Sequence, residues 1–325
     1  MALTASRAAD VCDPATRTMI NDRFHASWLD DHDQLDPDLL RDRLPGQDVV
    51  VTSWGTPALP TDLLGAAQGG PTVVAHAAGT VKNLIDPALL GEVTVFSAAP
   101  RIAWSVGEYC LTALLTLLRR LPQYDDRMRR GGWKPNDFRG RELRGLTVGI
   151  VGASSTARAL IELLRPFAVE ISVYDPYLEA DQADRLGVRR ASLEQVARCD
   201  VLSIHVPATP ATEGMITAEL IGTIPDGGIV INSSRAAAVD NEALIQETVR
   251  GRLRAALDVY PSEPPRLAES VRDNRNLLIT PHIAGDSVDG HLALVRYVLD
   301  DVIDYLDHGR YGPSWVDPAK LSIIA

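Results

Sequence analysis

Thr147-Val148-Gly149-Ile150-Val151-Gly152-Ala153-Ser154-Ser155-Thr156-Ala157 is the stretch whose reading decides the fold of this chain. A short apolar run ends in a glycine and a string of small residues, and helical text follows over 158–164. A strand that feeds a tight turn and then a helix aims backbone N–H groups at an anion, and small residues let the backbone approach it closely. Measured against G-x-G-x-x-G, Gly152 keeps the first position, Ala157 serves as the third, and Ser154 replaces the middle glycine. The next apolar run, Glu170-Ile171-Ser172-Val173-Tyr174, delivers Asp175 about 20 residues on, where a carboxylate holds a ribose 2′-hydroxyl. An acid there repels a 2′-phosphate, so the expected cofactor is NAD and not NADP.

The same kind of text continues on both sides. After Gly145, apolar runs lie at 147–151, 170–174, 201–204, 228–232, 255–257 and 277–280, with helical patterns between most of them. Strands alternating with helices in this way describe one doubly wound parallel sheet. Upstream, Val49-Val50-Val51-Thr52, Thr72-Val73-Val74-Ala75 and Val93-Thr94-Val95-Phe96 predict a separate βαβ region from about residue 46. A long apolar helix is expected over 102–121, then a polar connector, Arg129-Arg130-Gly131-Gly132-Trp133-Lys134-Pro135-Asn136, near a domain junction. The last helix, about 291–307, carries Leu292, Val295, Leu299, Val302 and Leu306 on one stripe. It is placed to return the chain to the first region.

Composition narrows the functional classes. At about 150 residues per domain, 325 residues suggest two domains. Lys plus Arg total 32 against 43 Asp plus Glu, a formal charge of −11, which disfavours nucleic acid and anionic membrane surfaces as partners. Three cysteines, Cys12, Cys110 and Cys199, lie far apart in an odd number, fitting neither a disulfide framework nor a zinc site. No metal is expected, and a reducing cytoplasm is the simplest home. The first twenty residues hold Arg7, Asp10, Asp13 and Arg17 without an apolar core, so no secretory leader is expected. The uncharged run from Tyr109 to Leu118 is half of what spans a bilayer.

Ligands of a doubly wound sheet bind outside the carboxyl ends of its strands. There the chain places Asn232-Ser233-Ser234-Arg235, then Leu257-Asp258 with Glu263 beyond it, then Thr280-Pro281-His282. A guanidinium can fork onto a carboxylate and polarise an adjacent carbonyl, and an imidazole paired with a carboxylate can give or take a proton. This is what hydride transfer to a 2-keto acid requires. The other histidines are weaker candidates: His25, His32, His291 and His308 lie in acidic segments, and His205, in Ile204-His205-Val206-Pro207, is expected to line the cofactor cleft.

In these blocks the chain resembles the D-isomer-specific 2-hydroxyacid dehydrogenase family. The resemblance covers about 46–307 and rests on Leu143-Arg144-Gly145-Leu146-Thr147-Val148-Gly149-Ile150-Val151-Gly152, Asp200-Val201-Leu202-Ser203-Ile204-His205-Val206-Pro207 with Thr209 and Thr212, Ile231-Asn232-Ser233-Ser234-Arg235, Asp258-Val259-Tyr260-Pro261-Ser262-Glu263-Pro264 and Thr280-Pro281-His282-Ile283-Ala284-Gly285. It implies two doubly wound α/β domains, a Rossmann NAD-binding domain at 103–287 inserted into a flavodoxin-like substrate domain made of 1–102 and 288–325. It also implies a homodimer clasped through the NAD-binding domains. The roles implied are Arg235 on the substrate carboxylate and carbonyl, His282 as acid/base and Glu263 as its partner. Gly152, Ser154, Ser155, Thr156, Asp175, His205, Pro207, Thr212, Ser233, Ser234, Asp258 and Gly285 would surround the cofactor.

In the first domain the family's R-x-G-x-G-x-D-x-x-D loop becomes His76-Ala77-Ala78-Gly79-Thr80-Val81-Lys82-Asn83-Leu84-Ile85-Asp86, in which Gly79 is kept and Val81 replaces the second glycine. The amides of Thr80 and Val81 can still form a carboxylate nest. Ser53-Trp54-Gly55-Thr56 stands where phosphoglycerate-type members have R-S-x-T, which removes a cation and places an indole at the cleft, where the competing readings for Trp54 are a cleft wall and domain packing. Lys82, Arg101 and His76 are candidates for recognising a second acidic group on the substrate; for Lys82, simple solvation is the competing reading. The resulting expectation is an NAD-dependent D-2-hydroxyacid dehydrogenase. The alternative is a non-catalytic NAD(H)-sensing interaction protein, similar to the family's corepressors, which the altered glycine turn keeps open.

Overall fold

Near-continuous apolar runs in the strands bury both faces of a sheet, and the computed structural model, which describes residues 1–30 and 34–320, contains two such sheets. His32 and the last five residues of the expected 288–325 segment lie outside the described residues. The chain divides into two units, Met1–Ile102 with Asp286–Ala325, and Ala103–Gly285.

In the first unit, β1 (Val49–Thr52), β2 (Val73–His76) and β3 (Thr94–Ser97) are parallel and adjacent in sequence order. Val51, Val73, Ala75 and Phe96 enter one core with Leu3, Val11, Ile20 and the stripe Leu294, Val295, Val298, Leu299, Val302 of the helix Leu294–His308. The alternate residues Val50, Val74 and Val95 enter a second core on the opposite face with Leu40, Leu64, Leu84 and Ile85. The closing helix is interrupted, Val288–Leu292 and then Leu294–His308, where one continuous helix was expected.

The second unit holds β4 (Thr147–Val151), β5 (Glu170–Tyr174), β6 (Arg189–Arg190), β7 (Val201–Ile204), β8 (Ile229–Asn232), β9 (Arg254–Leu257) and β10 (Leu277–Ile279). All are parallel in the order β10-β9-β8-β7-β4-β5-β6. The order reverses between β4 and β7, which makes a crevice there. The apolar helix runs from Ala99 to Leu118, not 102–121, because Arg120 takes a left-handed φ of 52° and Pro122 starts a new helix, Leu121–Arg129. Arg254 in β9 is buried and donates to Leu117 O (2.6 Å) and Gly227 O (2.7 Å), so a cation caps the last turn of the long helix. Burial pushes its guanidinium down to about 10. No helix among the described residues is long and apolar enough to cross a membrane.

Candidate active site

The strand register explains why residues so far apart in sequence meet. Tyr174, Val151, Ile204, Asn232, Leu257 and Ile279 form one row across the second sheet. The residue following each is Asp175, Gly152, His205, Ser233, Asp258 and Thr280. All six stand at the carboxyl edge, where the candidate loops begin.

Gly152 has a φ of 91°, and a Cβ placed on it would lie 2.8 Å from the His205 carbonyl oxygen. Only glycine fits this turn. The helix Ser155–Leu164 opens immediately after it, and Ser154 at its N-cap makes no side-chain capping bond, which leaves first-turn amides for an outside acceptor. Ser154 Oγ instead meets Thr156 Oγ1 at 3.0 Å. Asp175 accepts from Ala153 N (2.7 Å) and Tyr177 N (2.8 Å), so the carboxylate expected at the ribose also braces the glycine turn. A cradle that a Cβ would fill, an open helix N-terminus and an adjacent acid fit a dinucleotide. Arg158, which the sequence reading did not single out, bonds the same turn through Nε to Ala153 O (2.9 Å).

Three expected cofactor contacts act from behind the cleft. His205 is 2 % exposed, with Ser203 Oγ at 2.8 Å from Nε2 and Thr156 Oγ1 at 2.9 Å from Nδ1. Burial lowers it to about 4, so it is a neutral strut under the helix N-terminus and not a cleft lining. Thr212 is turned inward on its own loop, donating to Pro207 O (2.6 Å). Asp258 has no exposed surface: Oδ1 accepts from Thr280 Oγ1 (2.6 Å) and Ile283 N (2.8 Å), and Oδ2 from Ala284 N (2.8 Å). It holds the loop that carries His282, and its oxygens are already engaged.

On that loop His282 takes a φ of 57°, a conformation costly for a non-glycine residue and held here by the bonds on either side of it. Its Nδ1 meets Glu263 Oε2 at 2.7 Å, while Tyr260 N steadies Oε1 at 3.2 Å. The hydrogen bond with His282 is the largest of the influences that hold the Glu263 carboxyl below its usual range, and the Arg235 guanidinium adds to them. Arg235 is half-buried, donates from Nη1 to Ser234 O (2.7 Å) and makes no ion pair among the described residues. Buried Asn232 fixes its loop, donating to Arg235 O (3.1 Å) and accepting from Ser234 N and Oγ. Cys110 Sγ lies 3.1 Å from Ser233 Oγ, and burial pushes this thiol up to about 12. An unpaired cation, an oriented imidazole and its carboxylate thus occupy neighbouring strand ends; Gly285, half-buried, closes the His282 loop.

In the first unit Thr80 is exposed, Gly79 and Lys82 are half-buried, and Val81 is part of a core. Lys82 and Arg101 form no salt bridge among the described residues. His76 differs from the expectation of an anion-recognising group: it is buried, bonds Thr52 Oγ1 through Nδ1 (2.9 Å), and burial lowers it to about 4. Trp54 is 38 % exposed, with the His291 ring tilted 32° against it at 5.0 Å and the Arg7 guanidinium 5.5 Å from its ring. No cluster of three or more His, Cys, Asp or Glu among the described residues is arranged to hold a metal.

The sequence profile of the D-isomer specific 2-hydroxyacid dehydrogenase NAD binding domain matches residues 111–284. D-3-phosphoglycerate dehydrogenase of Mycobacterium tuberculosis is 30 % identical over 291 residues, covering 89 % of this chain and 54 % of the relative. Its counterpart in Haemophilus influenzae is 30 % identical over 257 residues, covering 77 % and 62 %. The chain therefore spans between half and two thirds of the length of these curated relatives. The crystal structure of a phosphoglycerate oxidoreductase from Rhizobium etli superposes with a TM-score of 0.83 at 24 % identity, covering 97 % of each chain, which establishes likeness of fold. With the profile spanning more than half of the chain, this protein belongs to the D-isomer specific 2-hydroxyacid dehydrogenase family.

Proposed function

We propose that the chain is an NAD-dependent oxidoreductase that interconverts a small 2-keto acid and the D-2-hydroxy acid. The observation that carries the reading is the pairing of His282 Nδ1 with Glu263 Oε2 at 2.7 Å on the strand edge that also presents the unpaired Arg235. When bound, NAD(H) supplies or accepts the hydride. Arg235 would fork onto the substrate carboxylate and polarise the neighbouring carbonyl. His282 would donate its proton to the carbonyl oxygen in reduction and recover it in oxidation. Glu263 would orient the ring through its contact with Nδ1.

In this reading the second unit holds the cofactor through Gly152, Ser155, Thr156 and Asp175, and in the first unit Gly79, Thr80, Val81, Lys82 and Trp54 are the proposed substrate-binding residues. The relatives are named for 3-phosphoglycerate, but Ser53 here is buried and bonded to Ala77 O (2.8 Å), and no cation stands beside it in Ser53-Trp54-Gly55-Thr56. A substrate without a phosphate is favoured, and Lys82 with Arg101 supports one bearing a second carboxylate. The proposed setting is the cytoplasm, in keeping with three free, buried cysteines. A homodimer through the second unit is supported by exposed Trp104, Leu121, Met128 and Trp133.

The test is NADH oxidation against a panel of 2-keto acids with and without a second carboxylate, with chiral analysis of the product. Turnover to the D product, fastest on the dicarboxylates, is expected. Absence of turnover across the panel would refute the assignment.

A further inference from the structure

Beyond the site groups, one phenol outside the family blocks quoted above is wired to the turn that carries His282. Tyr109, on the helix Ala99–Leu118, lies 2.6 Å through its hydroxyl from Thr280 Oγ1. Thr280 has one hydroxyl proton, and Asp258 Oδ1 accepts it at 2.6 Å. The direction of the chain is therefore fixed: Tyr109 donates to Thr280, and Thr280 donates to Asp258. Asp258 in turn accepts from the amides of Ile283 and Ala284, while Thr280 O accepts from His282 N at 3.1 Å. The left-handed residue His282 thus sits between two anchors, and both lead back to Thr280. Burial raises the Tyr109 phenol far above its usual range, which keeps it a donor at every working pH.

We propose that Tyr109 is a positioning residue for proton transfer: through Thr280 and Asp258 it sets the backbone of His282, without itself touching substrate or cofactor. This rests on the proposed acid/base role of His282. Its geometric core, the coupling of Tyr109 to the 280–284 turn, can be measured without turnover. A partly buried chain of this kind polarises along its length, and a phenylalanine at its outer end keeps the packing while leaving Thr280 without its incoming donor.

The experiment is a double-mutant cycle in the full chain, with Tyr109→Phe, Thr280→Val and both together. Two readouts are taken: amide hydrogen exchange at Ile283 and Ala284, and steady-state reduction of the best 2-keto acid of the panel. Tyr109→Phe is expected to speed exchange at both amides about five- to tenfold and to lower kcat by a similar factor, with the NADH Kd unchanged. Thr280→Val is expected to do more, and the double variant to match Thr280→Val alone. Additive effects, or an unchanged kcat with wild-type exchange, would overturn the proposal. If the wild type turns over no 2-keto acid, the dehydrogenase reading fails by itself, and the exchange cycle still decides whether Tyr109 acts through Thr280.

Discussion

Gly152→Ala tests the cofactor turn with a single methyl group. The added Cβ would sit 2.8 Å from His205 O, 2.9 Å from Val206 Cγ1 and 3.0 Å from the His205 carbonyl carbon, on a residue whose φ is 91°. The left-handed backbone costs a non-glycine residue about 1–2 kcal/mol, and overpacking against backbone that cannot turn aside adds about 1–3 kcal/mol. Gly187 supplies the control, since its φ is 70° and a Cβ there would meet nothing within 4 Å. Gly187→Ala should therefore cost only the conformational part. Relief of the clash at Gly152 must part the ends of β4 and β7, and with them the His205 imidazole that braces Thr156. If the extra 1–3 kcal/mol is expressed at the cofactor site, NADH binding weakens about 5- to 150-fold. Urea denaturation and NADH fluorescence titration read the two effects. Equal stability losses in the two alanine variants, within about 0.5 kcal/mol, would refute the reasoning, as would wild-type NADH affinity in Gly152→Ala.

Two further predictions concern pH. Burial lowers His205 and His76 from 6.5 to about 4, so the unfolded chain takes up their protons first as the pH falls. The stability they permit is complete above about pH 6.5 and is lost towards pH 4, at about 3 kcal/mol for each. His205→Gln should flatten that slope in urea titrations at pH 7 and 4.5, and an unchanged slope contradicts the burial argument. Glu263 is held as a carboxylate chiefly by its hydrogen bond with His282. Protonating that carboxylate breaks the pairing, so Glu263→Gln should lower the reductive pH profile at neutral pH and remove the acid-side fall that Glu263 protonation causes. A superimposable profile would remove the pairing from the mechanism.

Where the apolar run was continuous the strands could be read directly, as in Val49-Val50-Val51-Thr52 and the β4 stretch, because burial on both faces demands such residues. The edge strand β6 is two arginines with no apolar signature, and so left no trace. The break at Arg120 was hidden because the apolar run ending at Leu118 is followed closely by Leu121; Pro122 was the available signal. At the site, residue type and strand-end placement picked out Arg235, Glu263 and His282, but not which polar groups face inward. Asp258, His205 and His76 have the chemistry of ligand contacts, and in the fold each spends it on a neighbouring loop or helix. That distinction depends on burial, which one strand-end residue does not reveal. Arg158 was missed because it lies immediately after the last position of the glycine pattern and reaches back to Ala153.

In the proposed mechanism Arg235 and His282, which follow β8 and β10, act on the substrate, while the turn after β4 on the same sheet edge holds the cofactor. The most direct measurement combines NADH binding with 2-keto acid reduction in Arg235→Ala and His282→Ala. Neither side chain braces the glycine turn, so NADH affinity should stay within about threefold of wild type, while kcat/KM falls by about 100-fold or more in each variant. Wild-type turnover in either variant would contradict the roles proposed for Arg235 and His282.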